Sequence, residues 1–420
     1  MHNTPLLSIL AASILIFNSC DSYIWEDSST TTLDTPVYDG LVFIHDEDNG
    51  NLCTDLSYLF SDGSSLCDQV IDSSRWSDGL STYHLDGSKL KRELLGGLYT
   101  TREGLNGGSS IGLNYKVPIY SNEYISKNPP IDHNASLPTP NFVLNSNPTT
   151  FNKHLPSIGI SVVDDSVSEE FIKGIFNQTN GQIRIKNESC SIYDKSDSYH
   201  GEQVTFVMVE ELLSHGVKNP IEITVVDVVE ETDHIPYVSS FKLMCALNMI
   251  KAKNIAYVNM SLGFKHKTPQ LLNQIRLISN NSNMKITAAL GNESLELNRY
   301  SCGITNMDQI LPINLPAQYS HCDLNEGVIY PVMGIEIDAN RITKWTNRAN
   351  IGSNYINNYQ TFADFTNYEG VPKQYYGTSY SAPRILAKLV AGCQFTDHDI
   401  EINNENISTS IGCSIPNLRT

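Results

Sequence analysis

The carboxyl-terminal two thirds of the chain alternate short apolar runs with stretches of helical periodicity. The apolar runs have the length of strands and occupy residues 158–163, 221–228, 255–258 and 286–289. Between them, apolar residues recur at the three- and four-residue spacing of a helix face. These positions are Val204, Val207, Met208, Leu212 and Leu213 in one segment and Phe241, Leu243, Met244, Leu247 and Ile250 in the next. The alternation predicts βαβ units, and therefore a mostly parallel sheet with helices on both faces.

The front of the chain has a different pattern. Residues 36–125 hold short apolar stretches separated by Asp-Gly, Asn-Gly and Gly-Gly turns, which favours a small β-rich region. Residues 126–154 are rich in Pro, Asn, Ser and Thr, as expected of a linker. The predicted organisation is a segment 1–20, a polar tether 21–35, the β-rich region, the linker, an α/β domain 155–395 and a tail 396–420. The β-rich region is interpreted as a pro-segment, a binding module or a stalk.

The first 20 residues predict export. They contain no Asp, Glu, Lys or Arg, and the apolar run 6–17 has the length of a signal peptide rather than of a membrane span. The run ends at Cys20, which is followed by Asp21. A small residue before such a cysteine is typical of a bacterial lipoprotein, in which the cysteine is acylated. We therefore expect a membrane-anchored protein facing the periplasm or the cell exterior, with an ordinarily cleaved signal peptide as the alternative.

The cysteine count agrees with export. Of nine cysteines, eight remain when Cys20 is set aside, the parity of a disulfide-bonded protein in an oxidising compartment. Short-range pairing favours Cys53 with Cys67, Cys302 with Cys322 and Cys393 with Cys413. Cys190 and Cys245 then pair with each other or stay free. No Cys-x-x-Cys pair occurs, so a zinc or thioredoxin-like site has no support.

Composition and charge narrow the function classes. With 40% hydrophobic and 18% charged residues, the chain is expected to fold rather than to be disordered. The 46 acidic and 28 basic residues give a net charge of −18, which argues against nucleic acid as a partner. The acidity makes calcium a candidate ion without assigned ligands. Residues 46–51 are rich in oxygen ligands, but their spacing does not fit an EF-hand, and a solvated turn is favoured.

Four stretches place chemically active side chains at the ends of predicted elements. Asp164 follows the first apolar strand, and His200 stands at the entrance of a helix. Asn292 follows a strand in the turn Gly291-Asn292, and Ser379 opens a helix whose N-terminal end is electropositive. In open α/β sheets, functional sites collect at the carboxyl ends of the strands, so the chemistry is expected at those ends.

Together these stretches resemble the subtilisin-like serine proteases. The matching residues are Ile160-Ser161-Val162-Val163-Asp164, His200-Gly201, Asn259-Met260-Ser261-Leu262-Gly263, Gly291-Asn292, and Gly377-Thr378-Ser379 with Pro383. The order Asp, His, Ser along the chain is that of the family. The resemblance covers about residues 155–395 and implies a three-layer α/β/α fold with a mostly parallel sheet.

The resemblance also implies roles for individual residues. Asp164, rather than Asp165, would orient His200, which would take the proton of Ser379 as that oxygen attacks a peptide carbonyl. Asn292 would donate to the oxyanion. The backbone of Ser261, Leu262 and Gly263 would pair with an extended protein or peptide substrate. No cofactor is required by this chemistry.

Five residues near these motifs depart from the family pattern. Gln203 stands where the family usually has a second histidine, and Glu202 where it has a small hydroxyl residue. Ser166 replaces a habitual glycine, and a positive φ at that position would strain a serine by about 1 kcal/mol or more. Tyr380 and Ser381 change the residues just after the proposed nucleophile.

Two functions are therefore carried forward. The first is an exported serine endopeptidase that forms an acyl-enzyme intermediate. The alternative is a subtilase-fold protein that is catalytically weak or inactive and serves as a binding or scaffold module. All four essential side chains are present in the sequence, which favours the endopeptidase.

Overall fold

The structure is a computed structural model of the 420-residue chain. It describes the following residues: 37–46, 70–75, 80–85, 110–118, 142–144, 151–190, 200–232, 235–263, 269–279, 283–292, 296–297, 316–317, 328–336, 341–342, 348–349, 361–365, 367–370, 373–393, 395–399 and 406–410.

Twenty strands and five helices lie in these ranges. The strands are β1 Val37–Asp46, β2 Val70–Arg75, β3 Leu80–Leu85, β4 Ser110–Pro118, β5 Ile158–Asp164, β6 Ile183–Ser189, β7 Ile221–Asp227, β8 Val229–Thr232, β9 Ile235–Ser239, β10 Tyr257–Met260, β11 Lys285–Ala289, β12 Glu296–Leu297, β13 Ile329–Glu336, β14 Arg341–Ile342, β15 Arg348–Ala349, β16 Thr361–Phe365, β17 Asn367–Gly370, β18 Lys373–Tyr376, β19 Phe395–Asp399 and β20 Asn406–Ser410. The helices are α1 Glu169–Gln178, α2 His200–Ser214, α3 Ser240–Ala252, α4 Pro269–Ser279 and α5 Thr378–Val390.

The largest sheet is mostly parallel. Its strand order is β6-β7-β5-β10-β11-β13-β16-β20-β19, with β14 paired to β13. From β6 to β20 every neighbouring pair is parallel, and only β19 and β14 run antiparallel to their neighbours. The predicted α/β class with a mostly parallel sheet is confirmed.

Helices cover both faces of this sheet. On β5, the side chains of Ile160 and Val162 join the cluster that holds the buried faces of α1, α2 and α5. The next side chain along the strand, Val163, joins the cluster that holds α3 and α4. Because successive side chains of a strand point to opposite faces, this alternation produces the three layers. The apolar positions predicted for α2 and α3 are all buried.

The end of α3 explains why β10 starts later than the sequence predicted. The apolar run begins at Ile255, whereas the strand begins at Tyr257. Asn254 has a φ of 54°, and the Ile255 N–H donates to the Ile250 carbonyl at 3.1 Å. These are the features of a Schellman motif, in which the residue after the left-handed position closes the helix end. Ile255 therefore belongs to the helix cap rather than to the strand.

The β-rich front region shares a sheet with the rest of the chain. The strand order is β2-β3-β1-β4-β9-β8, and β4 pairs antiparallel with β9. The hairpin β8–β9 lies between β7 and α3 in the chain, so it belongs to the predicted α/β region. Helix α3 contacts this sheet as well as the large one. Its side chains are buried almost all round the helix, Lys242 included, which forms an ion pair with Glu230 at 3.6 Å.

Parts of the predicted linker and tail are also structured. Phe142 packs edge-on against Phe171 of α1, with ring centroids 4.7 Å apart. The Gln178 side chain donates to the Phe142 carbonyl and accepts from the Leu144 N–H. In the segment predicted as a tail, β20 pairs with β16 and lies between β16 and the edge strand β19 of the large sheet.

Cys190 and Cys245 form a disulfide, which decides between the two alternatives left by the sequence. Cys393 is also disulfide-bonded. The segment 1–20 with Cys20, the calcium-like turn after Asp46 and the remaining cysteines lie outside the described residues. Within the described ranges, no helix has the length and apolarity needed to cross a bilayer. The same ranges contain no cluster of three His, Cys, Asp or Glu side chains suited to a metal ion.

Candidate active site

Three neighbouring parallel strands end at the candidate site. Asp164 is the last residue of β5, Ser261 follows β10 directly, and Asn292 lies three residues beyond β11. Since β10 pairs in parallel with both β5 and β11, these ends lie at one edge of the sheet. Two helix starts complete the site, because His200 opens α2 and Ser379 is the second residue of α5.

Asp164 and His200 are joined by a hydrogen bond. The His200 Nδ1 atom lies 2.8 Å from the Asp164 Oδ1 atom, and the two side chains are 17% and 5% exposed. The same carboxylate oxygen accepts the Asp165 N–H at 2.9 Å. The choice of Asp164 over Asp165 as the partner of the histidine agrees with this geometry, since Asp165 accepts instead from the Gly201 N–H.

The contact between Asp165 and Gly201 requires a glycine. A Cβ atom built on Gly201 would overlap with both the carbonyl oxygen and the Oδ1 atom of Asp165. Real Cβ atoms do not approach oxygen so closely, so any side chain would push the start of α2 away from the end of β5. The glycine after His200 therefore sets the distance between the histidine helix and the aspartate strand.

The two carboxylates control the charge of the imidazole. Burial lowers the pKa of His200, but the charge of Asp164, the hydrogen bond to it and the charge of Asp165 together outweigh burial and raise the pKa from 6.5 to about 9. The imidazolium is therefore the favoured form of His200 at neutral pH, and the neutral base predominates only above about pH 9.

Replacing Asp165 is expected to lower the pKa of His200. The Asp165→Asn variant removes one nearby negative charge, while its amide oxygen can still accept the Gly201 N–H. NMR titration of the imidazole Cε1–H signals in histidine-labelled protein measures the pKa, and a His200→Gln variant assigns the signal. A wild-type pKa near 6.5, or an unchanged pKa in Asp165→Asn, would contradict this prediction.

Ser379 is held against the segment that follows β10. Its hydroxyl donates to the Ser261 carbonyl at 3.1 Å, and the Ser261 hydroxyl donates to the Ser379 carbonyl at 2.7 Å. Next to Ser261, the side-chain Nδ2 group of Asn259 donates to the Ser261 hydroxyl at 2.8 Å, and the Thr287 hydroxyl donates to the side-chain Oδ1 atom of Asn259 at 3.2 Å. This series of hydrogen bonds, from Thr287 through Asn259 and Ser261, holds the backbone carbonyl of Ser379 in place.

Asn259 belongs to one of the motifs that resemble the family, but the positions of Asn259 and Thr287 behind Ser379 were not predicted from the sequence. A signal was available, because polar side chains inside otherwise apolar central strands are uncommon unless they are hydrogen-bonded. Both residues are fully buried, at 0% exposure.

Asn292 is oriented by the start of α5. Its Oδ1 atom accepts the Thr378 N–H at 2.9 Å and the Thr378 hydroxyl at 3.1 Å. Because the oxygen of the amide faces Thr378, the Nδ2 group faces away from Thr378 with its N–H donors. That nitrogen lies 3.5 Å from the position of a Cβ built on Gly377, so the glycine leaves room beside it. The first N–H groups of a helix have no partner within the helix, and that of Ser379 is one of them.

The departures from the family pattern are accommodated in the structure. Glu202 is buried and accepts the Ser168 N–H at 2.9 Å. The Tyr380 hydroxyl donates to Gln203 Oε1 at 2.6 Å, so these two departures contact each other. Among the described residues, only Asn180 and Asn254 combine a side chain with a positive φ. The strain considered for Ser166 is therefore absent.

The solved structures that resemble the chain include a subtilisin-like protease and a sedolisin. One is a psychrophilic subtilisin-like protease from the Antarctic psychrotroph Pseudoalteromonas sp. AS-11, at 13% identity and a TM-score of 0.33. Others are Pseudomonas sedolisin, a serine-carboxyl proteinase, at 12% and 0.35, and the Clostridium perfringens CspB protease, at 12% and 0.36.

These comparisons concern part of each protein. The match to the Pseudoalteromonas protease covers 50% of this chain and 41% of that protein, so less than half of its length is represented. The matches to the sedolisin and to the CspB protease each cover 55% of this chain, and 73% and 81% of those proteins. No protein-family model and no curated protein matches the sequence. At these identities and TM-scores, the likeness carries no conclusion about activity.

Proposed function

We propose that this protein is a serine endopeptidase that uses Asp164, His200 and Ser379 to hydrolyse peptide bonds. The observation that carries the proposal is the 2.8 Å hydrogen bond that a histidine at a helix start donates to a strand-end aspartate. The proposal is supported further by Ser379, which stands at the N-terminal end of a helix beside the amide of Asn292.

In the first step, the Ser379 hydroxyl turns from the Ser261 carbonyl to the Nε2 atom of neutral His200. The oxygen attacks the peptide carbonyl carbon while its proton passes to Nε2. The carbonyl oxygen gains the negative charge of the tetrahedral intermediate. It accepts hydrogen bonds from Asn292 Nδ2 and from the Ser379 N–H at the electropositive helix end.

In the second step, the imidazolium of His200 returns its proton to the leaving amine, and the C–N bond breaks. An ester between the substrate acyl group and Ser379 remains. Water then attacks this ester as His200 removes one of its protons. The imidazolium gives that proton to the Ser379 oxygen as the ester C–O bond breaks, so the carboxylic acid product leaves and the Ser379 hydroxyl is regenerated. Asp164 stays ionised throughout and stabilises the imidazolium that forms twice.

An extended peptide is the substrate that fits this edge of the sheet. The segment Ser261-Leu262-Gly263 directly follows β10. Backbone pairing of this segment with an added strand would supply affinity without demanding a particular sequence. We include export and acylation of Cys20 in the proposal, which would place the site outside the cytoplasm. The mass of the mature N-terminal peptide tests that part.

A second candidate function is peptide binding without turnover. It is favoured by one observation, the hydrogen bond that the Ser379 hydroxyl donates to the Ser261 carbonyl rather than to His200. If this arrangement persists when substrate is bound, the hydroxyl stays away from its base.

Labelling with a fluorophosphonate distinguishes the two functions, because only an activated serine reacts. We expect the full chain to be labelled, and the Ser379→Ala and His200→Ala variants to lose labelling. Ser157→Ala, which changes an exposed serine outside the site, serves as the matched control and is expected to keep it. Labelling should rise with pH as His200 loses its proton. A folded wild-type chain that remains unlabelled at pH 9 to 10 would overturn the endopeptidase and favour peptide binding.

A further inference from the structure

A buried hydrogen bond joins the two helices that carry His200 and Ser379. Tyr380 follows Ser379 in the first turn of α5, and Gln203 lies three residues after His200 in the first turn of α2. The Tyr380 hydroxyl donates to Gln203 Oε1 at 2.6 Å across 177 residues of sequence. Tyr380 is 5% exposed and Gln203 is 6% exposed. Each partner is therefore a near neighbour of one proposed catalytic residue.

The ring of Tyr380 also lies against the histidine. The centroids of the Tyr380 and His200 rings are 6.1 Å apart, with the rings tilted by 45°. This separation is within the range at which aromatic rings contact each other. The tyrosine thus meets α2 twice, through its ring at His200 and through its hydroxyl one helical turn further on.

Apolar side chains of similar size could fill the space between α2 and α5 without forming a hydrogen bond. A phenylalanine has nearly the volume of Tyr380, and a leucine approximates that of Gln203. A buried amide oxygen without a partner is destabilising, and the Tyr380 hydroxyl supplies a partner for the oxygen of Gln203. The polar pair adds direction, since a hydrogen bond restricts both the distance and the angle between the helices.

The geometry matters because the reaction depends on the distance from the Ser379 oxygen to the His200 nitrogen. A displacement of about 1 Å in such a site can lower the rate about 100-fold. A second polar contact between α2 and α5 is an ion pair, in which the Arg384 Nη1 atom is 2.9 Å from Glu211 Oε2. It lies about three helical turns along α2 from His200. The ion pair is remote from the proposed catalytic residues, whereas the Tyr380–Gln203 hydrogen bond lies beside them.

We propose that Tyr380 and Gln203 are positioning residues, whose hydrogen bond sets the approach of the Ser379 hydroxyl to the His200 imidazole. The inference deepens the proposed endopeptidase function and rests on it. Neither residue takes part in the bond-making steps, and both act through the helices that they join.

The test compares kcat and KM for a peptide substrate, together with the midpoint of thermal unfolding. Tyr380→Phe is expected to lower kcat about tenfold and to leave KM unchanged, because substrate is bound by other groups. Glu211→Gln, which changes the remote ion pair with Arg384, is the matched control. It should lower the midpoint of thermal unfolding without changing kcat.

A double variant, Tyr380→Phe with Gln203→Leu, removes both polar partners and so leaves no unpaired amide. We expect its unfolding midpoint to return towards that of the wild type while kcat stays low. Recovery of kcat together with the midpoint would overturn the proposal, because the pair would then only satisfy a buried polar group. A single Tyr380→Phe variant with wild-type kcat would also overturn it. Failure of the proposed function is distinguishable, since the wild-type chain would then resist fluorophosphonate.

Discussion

Asp164→Asn is expected to lower kcat about 10⁴-fold with little change in KM. Asp164 Oδ1 accepts from the His200 Nδ1 atom at 2.8 Å and thereby makes Nδ1 the protonated nitrogen of the neutral ring. An asparagine carries no charge to stabilise the imidazolium, and its amide can turn to donate to Nδ1, which leaves the wrong nitrogen protonated. Steady-state hydrolysis of a peptide substrate, measured above pH 9, gives kcat and KM.

Asp165→Asn is the matched control for this prediction, since it removes the neighbouring carboxylate and keeps the bond to Gly201. Its kcat above pH 9 should stay within about tenfold of the wild type, because Asp165 Oδ1 accepts the Gly201 N–H, whereas Asp164 accepts from the ring nitrogen. If both variants lost activity equally, Asp164 would have no special role. The histidine would then be oriented by another group.

Asn292→Asp is expected to lower kcat by about 10² to 10³. The aspartate can still accept the Thr378 N–H, as Asn292 Oδ1 does at 2.9 Å, so the turn after β11 should keep its shape. The change removes the Nδ2 donor and places an anion where the oxyanion would form. Because the lost interaction exists only in the transition state, KM should change little.

A peptide aldehyde separates this effect from a loss of substrate binding, because its adduct with Ser379 resembles the tetrahedral intermediate. The affinity of Asn292→Asp for the aldehyde should fall by about the same factor as kcat. A variant with raised KM and unchanged kcat would show instead that Asn292 binds the ground state. The oxyanion role would then be wrong.

The charge around His200 links these predictions to pH. A pKa of about 9 means that the neutral base is a minority form at pH 7, so activity should increase as the pH rises through that value. Two adjacent carboxylates at the end of β5 produce this shift, and both are visible in the sequence. The burial that opposes them is not, because it depends on how α2 packs against the sheet.

Long apolar runs made the central strands predictable. β5, β7 and β11 lie within one residue of the predicted runs, since a buried parallel strand is apolar on both faces. β6 was missed because its side chains alternate between buried and exposed at the edge of the sheet. Helix α3 was predicted from the apolar residues on one of its faces. It is nevertheless buried on almost all sides, because the sheet that contains β4 and β9 covers its other face.

The sequence by itself determined which residues carry the candidate chemistry. A strand-end aspartate, a helix-start histidine, a turn asparagine and a helix-start serine can each be recognised from the neighbouring residues, because strands and helices have local signatures. It also determined their order along the chain.

Only the tertiary structure decided how these residues meet. It paired Cys190 with Cys245, attached the Ser379 hydroxyl to the Ser261 carbonyl and left Ser166 without strain. It also brought Tyr380 to Gln203, which turns two apparent departures into one buried hydrogen bond. The physical reason is that a side-chain hydrogen bond acts only over about 3 Å in space. Residues far apart in sequence have no local pattern that predicts such a contact.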